Sequence, residues 1–305
     1  MTNGNNTTLN ISHVTKRYGD FVAVNDLNLQ IKSGRIFGFL GPNGAGKTST
    51  IRMIVGITIP DEGEVTLFGE KISPALQNRI GYLPEERGLY KKMKIAEQLR
   101  YFAALKNLST KQADKQIDFW LNRIGLTEYK NKKAADLSKG MQQKIQFIAA
   151  VMHEPDLIIL DEPFSGLDPI NVELLKEIVL ELKSANKTII FSTHLMETAE
   201  KLCDDIVLIN RSKQILTGSL RDVKAGFNKN LVAVRVSGGG EVLRNNALIA
   251  KITTNADELE ILLNENADAQ TLLKQLIEND AIVTKFELVE PSLNDIFIEQ
   301  VSNRD

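Results

Sequence analysis

Apolar residues alternate with polar ones twice near the N-terminus, at Leu9, Ile11 and His13 and again at Leu27, Leu29 and Ile31, before the turn-like Lys32-Ser33-Gly34. A period of two predicts short, half-buried strands of an antiparallel sheet. Residues 36–40 differ: they form a dense apolar run ending in Gly41, as in a strand buried on both faces. Residues 48–56 predict a helix, and residues 64–68 alternate like another strand before Gly69. The spacing turns helical over 96–125, and Met141, Ile145, Ile148, Ala149 and Met152 form one apolar stripe of a further helix. Buried strands follow at 157–160 and 188–192, with a helix over 172–183 between them. Two more strands, 206–210 and 214–216, flank the turn Arg211-Ser212-Lys213. Strands alternating with helices predict an α/β fold with a largely parallel sheet, preceded here by an antiparallel β subdomain.

A break falls near Ala225-Gly226, and Gly238-Gly239-Gly240 follows. The remainder reads strand (231–236), strand (259–263), helix (269–278), strand (283–288) and helix (293–301), a small α+β unit. The expected division is therefore residues 1–225 and 226–305, with a helical subdomain over about 86–153 inside the first. No fixed-period repeat is present.

With 305 residues, 43% of them apolar and 25% charged, the chain has material for a sizeable core and is not a disordered one. Lysine and arginine (37) nearly balance aspartate and glutamate (39), for a net charge of −2. No general basic field exists to hold nucleic acid or anionic lipid, and the run Lys91-Lys92-Met93-Lys94 reads first as a solvated face. A single cysteine, Cys203, allows no internal disulfide and points to a reducing compartment. The first ten residues are polar, so no secretory signal is expected. The apolar run 147–152 is far short of the ~20 residues that span a bilayer, so the chain is not expected to cross one alone.

Gly41-Pro42-Asn43-Gly44-Ala45-Gly46-Lys47-Thr48 places two glycines, a lysine and a threonine between a buried strand and a helix. That is the pattern of a phosphate-binding loop. Glycines let backbone N–H groups approach phosphate oxygens, and the helix that follows points its positive end at them. Lys47 would meet the β- and γ-phosphates and the Thr48 hydroxyl a Mg²⁺ ion, with Ser49 beside it. Further along, four apolar residues carry Asp161 and Glu162 to the end of a strand beside this loop. Asp161 there suits Mg²⁺, and Glu162 suits a general base that polarises the attacking water. His194, after the strand 188–192, suits a residue reaching the γ-phosphate, while His13 and His153 read as structural.

Leu137-Ser138-Lys139-Gly140-Met141-Gln142-Gln143-Lys144 resembles the LSGGQ signature of ATP-binding cassette (ABC) ATPases. Ser165-Gly166-Leu167-Asp168 resembles their D-loop, His194 their switch histidine, and Tyr18 stands where the family stacks an aromatic ring on adenine. The resemblance runs from about residue 9 to 220, in family order. It implies that ATP is shared by two head-to-tail cassettes, with Ser138, Gly140 and Asp168 of one facing the phosphates held by the other. It also implies a second copy of the chain and a separate integral membrane permease. The expected place is then the cytoplasm, on the inner face of the cell membrane.

Two departures stand out. Glu85 occupies the position of the family's glutamine, which touches Mg²⁺ and the membrane partner; a carboxylate binds Mg²⁺ better but adds charge beside triphosphate. Lys139 replaces the first signature glycine and either attracts γ-phosphate or points to solvent, and Met141 replaces the signature glutamine. The segment 82–90 and the tail 290–299 resemble the sodium-extrusion (NatA-like) and drug-exporter-like branch, whose cassettes carry a small C-terminal domain. That resemblance implies an exporter ATPase, with Na⁺ or a drug as cargo and with coupling helices of the permease seated near Glu85 and residues 86–135. A soluble ABC ATPase acting on ribosome or DNA is the alternative. One cassette, no heptad run and slight negative charge speak against it and against nucleic acid as a partner. The C-terminal unit reads either as a second dimer contact or as a regulatory cap.

Overall fold

The computed structural model describes residues 7–86, 88–227, 230–238, 240–244, 246–255, 258–264 and 266–302. Arg87 and Gly239, singled out in the sequence, lie outside the described residues. The chain divides into two compact units after Leu220, and each is described separately.

The first unit opens with a hairpin of β1 (Thr7–Tyr18) and β2 (Phe21–Lys32). The predicted alternation holds at Leu9 and Ile11, which are buried, and then breaks. A register shift between Ile11 and Val14, with His13 at φ 50°, turns His13 outward and Val14 inward. β3 (Ile36–Leu40) leads through the glycine loop into α1 (Lys47–Ile54), and β4 (Glu62–Leu67) and β5 (Glu70–Lys71) complete a sheet of order β2-β1-β4-β5. β6 (Ile80–Leu83) follows, then α2 (Ile95–Leu105), α3 (Thr110–Arg123) and α4 (Lys139–Val151). The long helical stretch of the sequence is thus two helices, separated where Asn107 takes φ 62° and Ser109 caps α3 by accepting the Gln112 N–H.

β7 (Leu157–Asp161), α5 (Pro169–Ser184), β8 (Thr188–Thr193), α6 (Met196–Leu202), β9 (Asp205–Asn210) and β10 (Lys213–Ser219) finish the unit. The central sheet has the order β10-β9-β3-β8-β7-β6, parallel throughout except for β10. β3, β7 and β8 are buried along their whole length, as their unbroken apolar runs require. One apolar cluster joins the inner side of the antiparallel sheet (Leu9, Leu29), α1 (Ile51, Ile54) and the facing side of the central sheet (Phe37, Phe39, Ile159). α4 is not the one-sided helix its stripe predicts: Gln143, Lys144 and Gln146 are buried as well as Ile145 and Ile148. The Lys144 ammonium reaches Ile124 O (3.0 Å) and Asn171 Oδ1 (2.9 Å), and the Gln143 and Gln146 amide nitrogens donate to Pro163 O (3.2 Å) and Glu86 O (3.2 Å). No helix among the described residues is long and apolar enough to cross a membrane.

α7 (Leu220–Gly226) begins at the division. The second unit then holds β11 (Leu231–Ser237), β12 (Ile249–Asn255), β13 (Glu258–Leu263), α8 (Ala269–Glu278), β14 (Ile282–Val289) and α9 (Leu293–Ser302). Its antiparallel sheet runs β12-β13-β11-β14. Val232 and Val234 pack with Ile261, Leu272 and Leu276 in a core of its own. β12 is a strand the sequence pattern did not reveal.

Candidate active site

The glycine loop between β3 and α1 is shaped by contacts no other residue would permit. Gly46, at the start of α1, has φ 109°, and a Cβ there would sit 2.3 Å from the Ala23 carbonyl oxygen on β2. With β2 this close, the loop's backbone faces the opening at the start of α1, where N–H groups lack helical partners. Lys47 is only 6% exposed, and its ammonium donates to Gly41 O (2.7 Å) and Pro42 O (3.1 Å). Burial pushes its pKa down, against the pull of Glu162, Asp161 and Glu85.

Asp161 ends β7 and is fully buried. Its carboxylate accepts the Thr48 hydroxyl (3.1 Å) on one oxygen and the Ser192 hydroxyl on the other. Burial raises its pKa, and the two hydroxyls oppose that rise. β7 does not lie directly beside the loop strand, because β8 runs between β3 and β7. β8 and the residue that follows it thereby supply Ser192, Thr193 and His194, of which sequence reasoning finds only the last. Glu162 leaves the strand at φ 46°, a left-handed turn rare for a long side chain. Its carboxylate accepts the His194 backbone N–H (3.1 Å) and the Thr193 hydroxyl (3.3 Å), and His194 Nδ1 lies 2.8 Å from Oε1.

Residues 43–49, Glu85, Asp161 and Glu162 line a single cavity of about 390 Å³ together with Phe21 and Ala23. Gly41 and Pro42 lie behind it, holding Lys47. Tyr18 does not line the cavity; it is 45% exposed at the end of β1, with the Lys16 ammonium 5.6 Å above its ring. Phe21, 59% exposed at the opening, is the aromatic residue that does. Ser138, Gly140 and Asp168 are also outside the cavity. Ser138 caps α4 through the Met141 N–H (3.2 Å), and Asp168 caps α5 through the Asn171 N–H (3.1 Å). A Cβ on Gly140 would meet Leu167 at 3.3 Å, so the start of α4 abuts the 165–168 loop of the same chain.

The donors suit a magnesium ion that arrives with phosphate. Thr48 Oγ1 and Asp161 Oδ2 converge on one point with Glu85 along the same wall. Mg²⁺ is commonly held by one or two carboxylates plus substrate phosphates and water. Among the described residues no three His, Cys, Asp or Glu side chains form a cage, so phosphate would complete the shell.

A strand-loop-helix phosphate cradle with a buried aspartate and an adjacent glutamate defines a P-loop nucleotide-binding ATPase domain, and the chain belongs to the family of ABC transporter ATP-binding proteins. Residues 24–165 match the family described as ABC transporter, and residues 218–301 match the one described as ATP-binding protein DrrA1-3-like, C-terminal domain. The chain is 46% identical to the uncharacterized ABC transporter ATP-binding protein YhaQ of Bacillus subtilis, over 96% of this chain and 98% of that one. It is 38% identical to the ABC transporter ATP-binding protein NatA of the same organism, over 66% and 83% of the two chains. It is 39% identical to the Nod factor export ATP-binding protein I of Cupriavidus pinatubonensis, over 70% and 67%. Among solved structures, an ATP-binding subunit of an ABC transporter superposes with a TM-score of 0.69 at 31% identity, covering 72% of this chain and 93% of that one. The α/β fold with its added C-terminal unit is the one these relationships require.

Proposed function

We propose that this chain hydrolyses ATP with Mg²⁺ as one of two cassettes that drive a separate membrane permease, working as an exporter. One observation carries the reading: the nucleotide cavity is joined to an apolar groove. A second cavity of about 370 Å³ shares Thr48, Glu85 and Asp161 with the nucleotide cavity. At its other end it shares Ile57, Tyr82 and Pro84 with a groove of about 320 Å³ that runs past Phe102 and Leu105 of α2. A change at the phosphates therefore has a packed route to a surface suited to an apolar segment of the permease.

In this reading Lys47 exchanges the Gly41 and Pro42 carbonyls for phosphate oxygens, and Thr48, Asp161 and Glu85 hold the metal. Mg²⁺ supplies charge neutralisation at the phosphates when bound. Glu162, steadied by Thr193 and His194, takes the proton of the attacking water. Ser138, Gly140 and Asp168, lying outside the cavity of their own chain, would complete the site of a second copy, and Tyr18 would meet adenine. Export is supported by the relative named for Nod factor export, and Na⁺ or drug cargo by the branch resemblance.

Mixing Lys47→Ala chains with Ser138→Ala chains tests the shared site. Each variant alone is expected to be nearly inactive, and the mixture to regain ATPase activity through composite dimers with one intact site. A mixture no more active than either variant refutes the shared site. Failure of the full chain to copurify with any polytopic membrane protein would refute the permease.

A further inference from the structure

The basic run Lys91-Lys92-Met93-Lys94 takes no part in the nucleotide site. Alone it reads as a solvated face, but in the fold it is not alone. An isolated antiparallel bridge pairs Lys94 with Lys133. Backbone hydrogen bonds fasten the two segments on either side of it: Ile95 N–H to Lys132 O (2.9 Å), Ala134 N–H to Met93 O (3.1 Å) and Ala135 N–H to Lys91 O (3.0 Å). A second basic run, Lys130-Asn131-Lys132-Lys133, is thereby laid against the first. Lys91, Lys92, Lys94, Lys132 and Lys133 are all exposed, and among the described residues none of them forms an ion pair.

Of the neighbouring acids, Asp118 pairs with Lys130, while Glu97 and Asp136, turned onto the Lys94 and Lys133 backbone N–H groups (3.3 and 3.1 Å), keep their charges and leave five lysines facing two carboxylates. Acids elsewhere that bring the net charge to −2 do not cancel this face. Charges more than about 8 Å away are largely screened at physiological salt.

The chemistry of the face identifies its partner. It is built of lysines, compact point charges on flexible stems suited to a diffuse anionic surface, and among the described residues it lacks the free arginine forks that grip single carboxylates or phosphates. Arg100 nearby is committed to Asp114. Two exposed tyrosines border it, Tyr90 (51%) and Tyr101 (44%). Tyrosine beside lysine is the composition of a membrane interface, where an apolar ring body and a polar tip sit at headgroup level. These rings are edge-on to each other at 6.1 Å, and Tyr90 stacks on Phe102 at 6.4 Å, so they are not free platforms for nucleic-acid bases.

We propose that this five-lysine face contacts the anionic lipid headgroups of the membrane directly. The contact is additional to any permease and does not depend on one. Each lysine near an anionic bilayer adds about fivefold in affinity.

Co-sedimentation of the full chain with mixed phosphatidylglycerol and phosphatidylcholine vesicles tests this, against pure phosphatidylcholine vesicles. The chain is expected to bind the anionic vesicles alone and to be released by added salt. A Lys91→Glu/Lys94→Glu/Lys133→Glu variant should bind at least about a hundredfold more weakly, the factor for losing three lysines. A control reversing Lys71, Lys213 and Lys274 should bind like the parent. The milder Lys91→Gln/Lys94→Gln/Lys133→Gln variant, with an unchanged unfolding midpoint, should also bind more weakly, which covers misfolding of the charge-reversed one. Absence of binding by the parent overturns the proposal, as does equal weakening in the control. So does tighter lysine-dependent binding to duplex DNA or RNA than to vesicles. The vesicles hold no permease, so failure here leaves the ATPase reading intact.

Discussion

Replacing Glu162 by glutamine separates chemistry from stability. The residue is 8% exposed, and its side-chain oxygens accept the His194 backbone N–H (3.1 Å), His194 Nδ1 (2.8 Å) and the Thr193 hydroxyl (3.3 Å). A glutamine Oε1 keeps the two bonds from His194, and the Thr193 hydroxyl can rotate to accept from the new amide. What is lost is charge assistance, the step from about 2 to about 1 kcal/mol per bond. Opposing this, the Glu162 charge disfavours ionisation of neighbouring Asp161, and its removal relieves that repulsion. The two effects offset each other, so stability should change by no more than about 1 kcal/mol. A general base contributes about 10²- to 10⁴-fold to rate. Phosphate release at saturating Mg-ATP should fall by that factor, with fluorescent nucleotide still bound and the thermal midpoint nearly unchanged. Turnover within tenfold of the parent would remove Glu162 as the base. A loss of several kcal/mol in stability would show that the carboxylate is mainly structural.

Gly46→Ala places a Cβ 2.3 Å from the Ala23 carbonyl at φ 109°, and should cost about 2–4 kcal/mol in urea unfolding. An unchanged midpoint would mean that β2 yields freely, contrary to its packing. His153, held neutral by burial and by Lys106 with a pKa lowered to about 4, charges more readily in the unfolded chain than in the folded one. Its contribution is therefore complete above the ordinary pKa of 6.5 and is lost as pH falls toward about 4. After discounting for solvent at the groove this amounts to about 2 kcal/mol. Thermal melts at pH 7 and pH 5 should show the parent losing more stability than His153→Gln, and parallel losses would refute the assignment.

The parts of the site that are local in sequence are legible in the sequence itself. The glycine loop, its flanking strand and helix, and the acids after an apolar run each announce their own chemistry. What escaped depends on pairing at a distance. Ser192 and Thr193 read as ordinary strand residues until β8 is inserted between β3 and β7, and Phe21 reads as a hairpin residue until the loop packs beside β2. The stripe on α4 is genuine, but apolarity alone cannot show that Gln143, Lys144 and Gln146 are buried on hydrogen bonds. Likewise nothing local shows that Lys94 and Lys133 share a bridge. β12 was missed because its apolar residues, Ile249 and Ile252, do not alternate with any regular period.

The order of strands also dictates when the protein can become itself during translation. β3 pairs only with β8 and β9, through Ile36 with Ile189 and Phe37 with Asp205, partners made more than half a chain later. Until the ribosome has released them, β3 stands unpaired and β7, paired on one side with β6, keeps an open apolar edge, the condition under which polypeptides stick to one another. Nascent chains halted before residue 188 should therefore be clients for chaperones rather than small working domains, however complete their phosphate loop.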